Sequence, residues 1–176
     1  QKVVVAANDD QIVLYLSNGE KVHINQFDTT EMLEHNGMKI VMNEKRDQIT
    51  YENQDNTSDE LIYNTLSIPT RAEYCLTLGD GTKVWLAATS RLRYPVNFVG
   101  ERREVYLEGE AFFDVARDTT KPFIVKCNDF SVEALGTSFD VSCYNDDEYA
   151  LATLASGKIE VTTSGQKRIL IPGEQV

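Results

Sequence analysis

Two segments of this chain share a pattern that is typical of a β-hairpin, and this pattern constrains the fold more than any other feature. Residues 76–86 read Leu-Thr-Leu-Gly-Asp-Gly-Thr-Lys-Val-Trp-Leu, in which short apolar-alternating runs flank a glycine-containing turn. Residues 14–24 read Leu-Tyr-Leu-Ser-Asn-Gly-Glu-Lys-Val-His-Ile, with glycine, lysine and valine at matching positions. In this first copy the pair Asn18-Gly19 favours a type I′ turn. A chain that uses the unit twice is predicted to be built from hairpins.

Short strands are predicted at close intervals along the rest of the chain. Val105, Leu107 and Phe113 share one parity, which predicts a buried face, and Gly109 suits a turn or bulge between two strands. The predicted strands cover residues 39–43, 48–52, 61–68, 73–78, 82–87, 103–107, 111–116, 122–127, 130–135, 138–144, 149–154, 157–162 and 167–171. This spacing predicts an all-β fold, namely an antiparallel β-sandwich or jelly roll made of successive hairpins. A β-helix or a β-roll is the alternative.

One helix and one internal boundary are predicted. The segment Asp28-Thr29-Thr30-Glu31 resembles a helix N-cap, so a single short helix is predicted near residues 28–35. Residues 54–60 are polar and acidic, which is typical of a boundary loop. We therefore expect an N-terminal β-hairpin region, residues 1–60, packed on a main β domain, residues 61–176.

The charge balance disfavours some classes of function. The chain has 17 basic and 28 acidic residues, a net charge of −11, and such a field repels nucleic acid. Arg91, Arg93, Arg102 and Arg103 cluster along the sequence, and we interpret them as a solvated face. The apolar run at residues 3–7 is far shorter than the roughly 20 residues that span a bilayer.

The three cysteines lack the spacing of a zinc site or of a disulfide framework. Cys127 and Cys143 share strand parity with apolar neighbours, which favours their role as small buried residues. A single bridge between these two is the alternative in an oxidising compartment, and Cys75 would then be unpaired.

Catalytic and ligand-binding patterns are weak. His23 and His35 are the two histidines, and neither is part of a Ser-His-Asp or Cys-His pattern. Glu108 and Glu110 flank a glycine, as paired carboxylates of a glycosidase could, but no other residue indicates a sugar cleft. The acidic runs at residues 9–10 and 146–148 fit no calcium loop. We therefore predict no enzyme activity, cofactor or metal site. A carbohydrate-binding β-sandwich module remains the alternative function, with Trp85, Tyr94 and Tyr106 as a stacking platform.

A series of motifs resembles the periplasmic domain of FecR-type anti-sigma factors, especially those of Bacteroidetes. The motifs are Leu-Gly-Asp-Gly-Thr-Lys-Val-Trp-Leu at 78–86, Ala-Thr-Ser-Arg-Leu-Arg-Tyr-Pro at 88–95, Leu-Glu-Gly-Glu-Ala-Phe-Phe-Asp-Val-Ala at 107–116, Lys-Pro-Phe-Ile-Val at 121–125, Leu-Gly-Thr-Ser-Phe-Asp-Val at 135–141 and Pro-Gly-Glu-Gln at 172–175. The resemblance covers residues 61–176 strongly and residues 1–60 only loosely.

The resemblance implies a periplasmic signalling domain of a protein that spans the inner membrane once. Such a protein holds an extracytoplasmic-function sigma factor through a cytoplasmic segment, which this chain lacks. It senses a TonB-dependent outer-membrane transporter, whose signalling domain is expected to dock mainly on a segment C-terminal to this chain. Some relatives cut themselves at a Gly-Thr bond, which corresponds here to Gly136-Thr137. The structural alternative is that Gly136 is a turn or bulge glycine and Thr137 a β-branched strand residue.

Overall fold

The computed structural model describes residues 10–26, 29–34, 36–55 and 57–176. This part of the chain forms sixteen strands and one short 3₁₀ turn, Ile24–Gln26. The strands are β1 (Val13–Tyr15), β2 (Lys21–His23), β3 (Glu31–Leu33), β4 (Lys39–Met42), β5 (Gln48–Glu52), β6 (Tyr63–Ser67), β7 (Tyr74–Thr77), β8 (Lys83–Leu86), β9 (Arg91–Pro95), β10 (Arg103–Asp114), β11 (Phe123–Lys126), β12 (Phe130–Ala134), β13 (Ser138–Cys143), β14 (Leu151–Ser156), β15 (Ile159–Thr163) and β16 (Gln166–Leu170). The predicted all-β fold is confirmed.

The strands form two sheets that share one strand. Sheet 1 has the order β2-β1-β6-β9-β10-β11-β12-β15-β16, and sheet 2 has the order β3-β4-β5-β7-β8-β10-β13-β14. Neighbours run antiparallel except for the parallel pairs β5/β7 and β10/β11. The alternative of a parallel β-helix is therefore wrong.

Strand β10 belongs to both sheets and changes from one to the other at Gly109. Its first half pairs with β9 and β11, whereas its second half pairs with β8 and β13. Gly109 has a φ of +107°, and a Cβ there would lie 2.4 Å from the Ser90 hydroxyl oxygen and 2.7 Å from the Ser90 Cα. The strands predicted at 103–107 and 111–116 are thus one continuous strand, whose path only glycine permits.

The hydrophobic core lies between the two sheets. Alternate residues of β10 are buried, including Val105, Leu107 and Phe113, as the sequence parity predicted. The Phe113 ring stacks on Phe139 of sheet 2 at 5.4 Å between ring centroids and contacts Phe123 of sheet 1 at 6.0 Å. A single apolar cluster therefore joins both sheets.

The two hairpin copies fold into the same turn, one in each sheet. Leu16 donates its N–H to Glu20 O, and Leu78 donates its N–H to Thr82 O, both at 2.9 Å. Gly19 and Gly81 have φ values of +90° and +87°. Asn18 does not have a positive φ, so the predicted type I′ turn is wrong. Each turn is a three-residue loop with glycine in the left-handed region.

The short helix predicted near residues 28–35 is wrong. Glu31–Leu33 forms β3, an edge strand that pairs with β4, and residues 28 and 35 lie outside the described part. Lys39 forms an ion pair with Glu31 across this hairpin at 2.9 Å, and Met42 donates its N–H to the Thr30 carbonyl. Pairing with β4 gives this segment inter-strand hydrogen bonds. A single helical turn would be less favourable, because helix nucleation is costly. The hairpin predicted over residues 39–52 is confirmed.

A buried ion pair fixes the second hairpin to the start of β10. Arg103 is 2% exposed and donates from Nη1 to Asp80 Oδ2 at 2.7 Å. It also donates to the carbonyls of Lys121 and Ala116, both at 2.8 Å. The solvated face predicted for four arginines is therefore wrong for Arg103.

Candidate functional site

The candidate site lies where the chain passes twice between the sheets. Residues 135–137 connect β12 of sheet 1 to β13 of sheet 2, and residues 157–158 connect β14 back to β15. The two connections are in contact, because a Cβ on Gly157 would lie 2.5 Å from the Thr137 methyl group. We call residues 135–137 the crossover loop.

Gly136 and Thr137 are fixed by the segment that follows β10. The carbonyls on either side accept hydrogen bonds at 2.9 Å, Leu135 O from Asp118 N and Thr137 O from Val115 N. A Cβ on Gly136 would lie 2.9 Å from the Cα of Arg117, so this close approach requires glycine. The geometry supplies a structural reason for Gly136, namely its close approach to Arg117, whereas Thr137 lies between β12 and β13 and not in the predicted strand.

The buried hydroxyl group of Thr137 lacks a hydrogen-bond partner among the described residues. The residue is 6% exposed, and its Oγ1 has no hydrogen-bond partner in the described part of the chain. A buried hydroxyl usually finds a partner, because leaving it unpaired costs about 1–3 kcal/mol. An unpaired buried polar group is therefore a candidate site of structural strain or of chemical reactivity.

A disulfide joins the two sheets, and its two cysteines come before and after the crossover loop in the sequence. Cys127 follows β11 in sheet 1, Cys143 ends β13 in sheet 2, and their Cα atoms are 6.5 Å apart. The bridge alternative is thus the arrangement found, and the interpretation as two separate buried thiols is wrong. Cys75 is free and half-buried, and burial raises the pKa of its thiol.

The C-terminal residues lie along the outer edge of sheet 2. Ala152 of β14 exchanges two backbone hydrogen bonds with Val176, at 2.8 and 3.0 Å, and Leu154 donates to Glu174 O at 3.1 Å. Tyr149 and Leu151 leave apolar surface exposed near this edge. Residues 174–176 occupy the outer edge of β14, so a further strand would have to add to this C-terminal segment.

The three aromatic residues proposed as a sugar platform do not lie together. Tyr94 is fully buried and hydrogen-bonds with Tyr51 at 2.7 Å between hydroxyl oxygens. Tyr106 lies in the sheet 1 half of β10, where Arg93 covers its ring at 5.4 Å. Trp85 lies on sheet 2 and is 43% exposed.

The carboxylates flanking Gly109 also have separate environments. Glu108 accepts a hydrogen bond from Asn145 Nδ2 at 2.7 Å, whereas Glu110 has Asp140 of β13 as its diagonal neighbour in the strand register. Burial, followed by the nearby charge of Glu110, raises the pKa of Asp140 to about 6. Of the two histidines, His23 ends β2 and is half-buried, and His35 lies outside the described residues.

One group of side chains was missed by the sequence reasoning. Phe112 of β10 lies opposite Trp85 on one side and opposite Asp140 on the other. Its ring contacts Trp85 at 5.8 Å between centroids. Strand alternation could have placed Glu110 and Phe112 on one face, but the pairing of β10 with β8 and β13 was not visible in the sequence. We call Trp85, Phe112, Glu110 and Asp140 the aromatic–acid patch.

Across residues 10–26, 29–34, 36–55 and 57–176, no helix is both long and apolar enough to cross a membrane.

Comparison with known proteins supports a specific relationship. A family model described as FecR protein matches residues 64–168. Two crystal structures of a candidate anti-sigma factor from Parabacteroides distasonis ATCC 8503 are 41% identical to the chain, with TM-scores of 0.64 and 0.62. These matches cover 64% and 63% of this chain but 53% and 52% of the solved chains, so they span about half the length of that protein. A search of curated proteins finds no match.

Proposed function

The chain belongs to the FecR protein family, and from this premise we propose that it is the periplasmic signal-transducing domain of a transmembrane anti-sigma factor. FecR-family anti-sigma factors are regulatory proteins and not enzymes. In the proposed role the domain relays the state of a TonB-dependent outer-membrane transporter to an extracytoplasmic-function sigma factor. A cytoplasmic segment outside these residues binds the sigma factor, and the protein crosses the inner membrane once. The family match at residues 64–168 carries this proposal.

The disulfide supports the proposed location of this domain in the periplasm. Disulfides persist in oxidising environments such as the periplasm and are rare in the bacterial cytosol. Cys127 and Cys143 are placed by strands of different sheets, so the bridge is an integral part of the sandwich.

The position of the C-terminal residues supports the proposed way in which a transporter's signalling domain docks. We propose that the signalling domain of the transporter binds mainly through a segment C-terminal to Val176. Residues 174–176 pair antiparallel with β14 as far as Ala152, so chain that continues in this direction would pass Leu151 and reach the exposed apolar surface of Leu151 and Tyr149. Backbone pairing supplies affinity in such complexes, and side-chain contacts at alternate positions supply specificity.

A binding assay tests this function directly. The chain is titrated with the N-terminal signalling domain of a transporter encoded beside it, once as it stands and once extended by further C-terminal residues. We expect saturable binding that is at least tenfold tighter for the extended chain. Absence of binding by both forms would contradict the signalling role.

We also propose that the crossover loop is the place of a self-cleavage event. The unpaired Thr137 hydroxyl is the observation that favours it. In this step Thr137 Oγ attacks the Gly136 carbonyl carbon, the peptide C–N bond breaks, and the hydroxyl proton passes to the released Thr137 nitrogen. The resulting ester is hydrolysed by water, which leaves a Gly136 carboxylate and restores the Thr137 hydroxyl.

The disulfide dictates how this cleavage must be measured. Cys127 lies before the Gly136–Thr137 bond and Cys143 lies after it, so the two products stay linked until they are reduced. We expect the unreduced protein to gain the mass of one water on incubation, and the reduced protein to separate into residues 1–136 and 137–176. Thr137→Ser should retain cleavage and Thr137→Val should abolish it. A single uncleaved mass after prolonged incubation would refute the step without affecting the docking proposal.

A further inference from the structure

Two carboxylates lie near each other on the outer face of sheet 2 without an ion-pair partner. Glu110 of β10 and Asp140 of β13 are diagonal neighbours in the strand register, and neither takes part in an ion pair in the described part of the chain. Lys83, on the neighbouring strand β8, lies opposite Asp114 in the sheet register. The described part of the chain therefore provides no cation for this pair, and the net charge of the full sequence is −11.

An exposed aromatic surface adjoins these carboxylates. Trp85, Phe112 and Asp140 occupy one row across three neighbouring strands, β8, β10 and β13. Strands are spaced about 4.8 Å apart, so a group above Phe112 can touch both the Trp85 ring and the Asp140 carboxylate. Trp85 is 43% exposed, which leaves one side of this row open.

We propose that the aromatic–acid patch is a docking surface for a segment of a partner protein that places an arginine side chain over Phe112. A guanidinium group fits these surroundings because it is planar and always charged. It stacks on an aromatic face while its N–H groups donate to carboxylates in a fixed fork. Lysine offers a compact, strongly hydrated charge and is the weaker match.

The position of the patch fits a protein partner. The row that contains Trp85, Phe112 and Asp140 continues to Thr153 of β14 and then to Gln175 of the C-terminal segment. A partner that binds along the edge of sheet 2 therefore meets the patch on the adjoining face. This inference adds a contact to the proposed function, but the basic partner need not be a transporter domain.

A peptide titration tests the inference without any transporter domain. The probe is a capped Gly-Gly-Arg-Gly-Gly peptide, and the control peptide carries uncharged citrulline in place of arginine. Trp85 is the single tryptophan of the chain, so its fluorescence reports events at the patch itself. We expect saturable binding of the arginine peptide with a Kd of about 1 mM, which is a free energy of about −4 kcal/mol. The citrulline peptide should bind at least fivefold more weakly.

Matched variants locate the site. The double variant Glu110→Gln, Asp140→Asn should weaken arginine-peptide binding at least fivefold, whereas Glu133→Gln on sheet 1 should leave it unchanged. Circular dichroism establishes that each variant is folded. Three outcomes would overturn the inference: equal binding of both peptides, unchanged binding by the double variant, or no saturable binding. Saturable binding of a neutral glucan that the arginine peptide does not displace would also overturn it and assign the patch to a sugar.

Discussion

Replacing Asp80 with asparagine breaks a buried ion pair while it keeps one side-chain hydrogen bond of the turn that carries it. Asp80 accepts hydrogen bonds from the Thr82 backbone N–H at 2.9 Å and from the Arg103 guanidinium at 2.7 Å. In the first hairpin the equivalent residue is Asn18, whose side chain accepts from Glu20 N at 2.9 Å. Asparagine therefore keeps the hydrogen bond from the Thr82 backbone N–H, whereas it loses the charge and the Oδ2 acceptor of the Arg103 guanidinium and of the Thr82 hydroxyl.

The cost follows from the burial of Arg103. Removing one partner of a buried ion pair typically costs about 3–5 kcal/mol, because the remaining charge is uncompensated. Arg103 keeps two backbone carbonyl acceptors, so we expect a loss near the lower end, about 3 kcal/mol. For a domain of this size that is a decrease in Tm of about 6–12 °C.

Urea unfolding followed by Trp85 fluorescence and by circular dichroism measures this loss. The matched control is Asn18→Asp, which makes the reverse exchange in the first hairpin. It loses the exposed hydrogen bond from Asn18 Nδ2 to the Glu20 carboxylate and should cost less than about 1 kcal/mol. The double variant Asp80→Asn, Arg103→Met should recover part of the loss, since it also removes the unpaired charge. A cost below about 1 kcal/mol for Asp80→Asn, or a cost equal to that of the control, would refute the reasoning.

Three further outcomes are expected. Gly109→Ala should destabilise by about 3 kcal/mol or prevent folding, because it combines a strained φ with a clash against Ser90, as denaturant unfolding would show. Asp140 has a pKa raised to about 6 in the folded state, so the folded protein binds more protons than the unfolded chain between about pH 4 and 6, and stability should fall as pH rises through this window. Because the group is partly exposed, Asp140→Asn should stabilise by only about 1 kcal/mol at pH 7.5 and flatten that slope. Reduction of the Cys127–Cys143 bridge, which closes a loop of 16 residues, should cost about 3 kcal/mol in thermal unfolding.

Each of these outcomes has a control in the same chain. Gly19→Ala introduces a similar φ strain with no atom within 4 Å of the new Cβ, so it should cost less than Gly109→Ala. Glu133→Gln should leave the pH dependence between pH 4 and 6 unchanged. Cys75→Ser should leave the effect of reduction intact. Equal costs for the two glycine variants, a stability that rises with pH despite Asp140, or a Tm insensitive to reduction would each contradict the corresponding mechanism.

The sequence predicted what depends on local alternation. Period-two patterns located most of the strands, but not β9 (Arg91–Pro95), and they gave the buried parity of Val105, Leu107 and Phe113. Glycine located the hairpin turns. It did not predict the strand at Glu31–Leu33, where pairing with β4 outweighs a weak helix signal. The burial of Arg103 was also missed, because its partner Asp80 is 23 residues away in the sequence.

The two candidate sites also differ in how far the sequence alone could predict them. Gly136-Thr137 was found from a motif, but the unpaired hydroxyl of Thr137 became apparent only when its surroundings were assembled. The aromatic–acid patch depends on the register of three strands that are distant in sequence. Such registers are determined by the complete sheet and not by any segment alone.

The shared strand β10 has a mechanical consequence for the proposed signalling role. Because one continuous backbone is a member of both sheets, the layers cannot slide apart without breaking hydrogen-bonded pairs on one half of that strand. A pull applied at the edge of sheet 2 therefore reaches sheet 1 through covalent bonds at Gly109 as well as through side-chain packing. In the proposed role, a partner bound at one edge would therefore displace both sheets together.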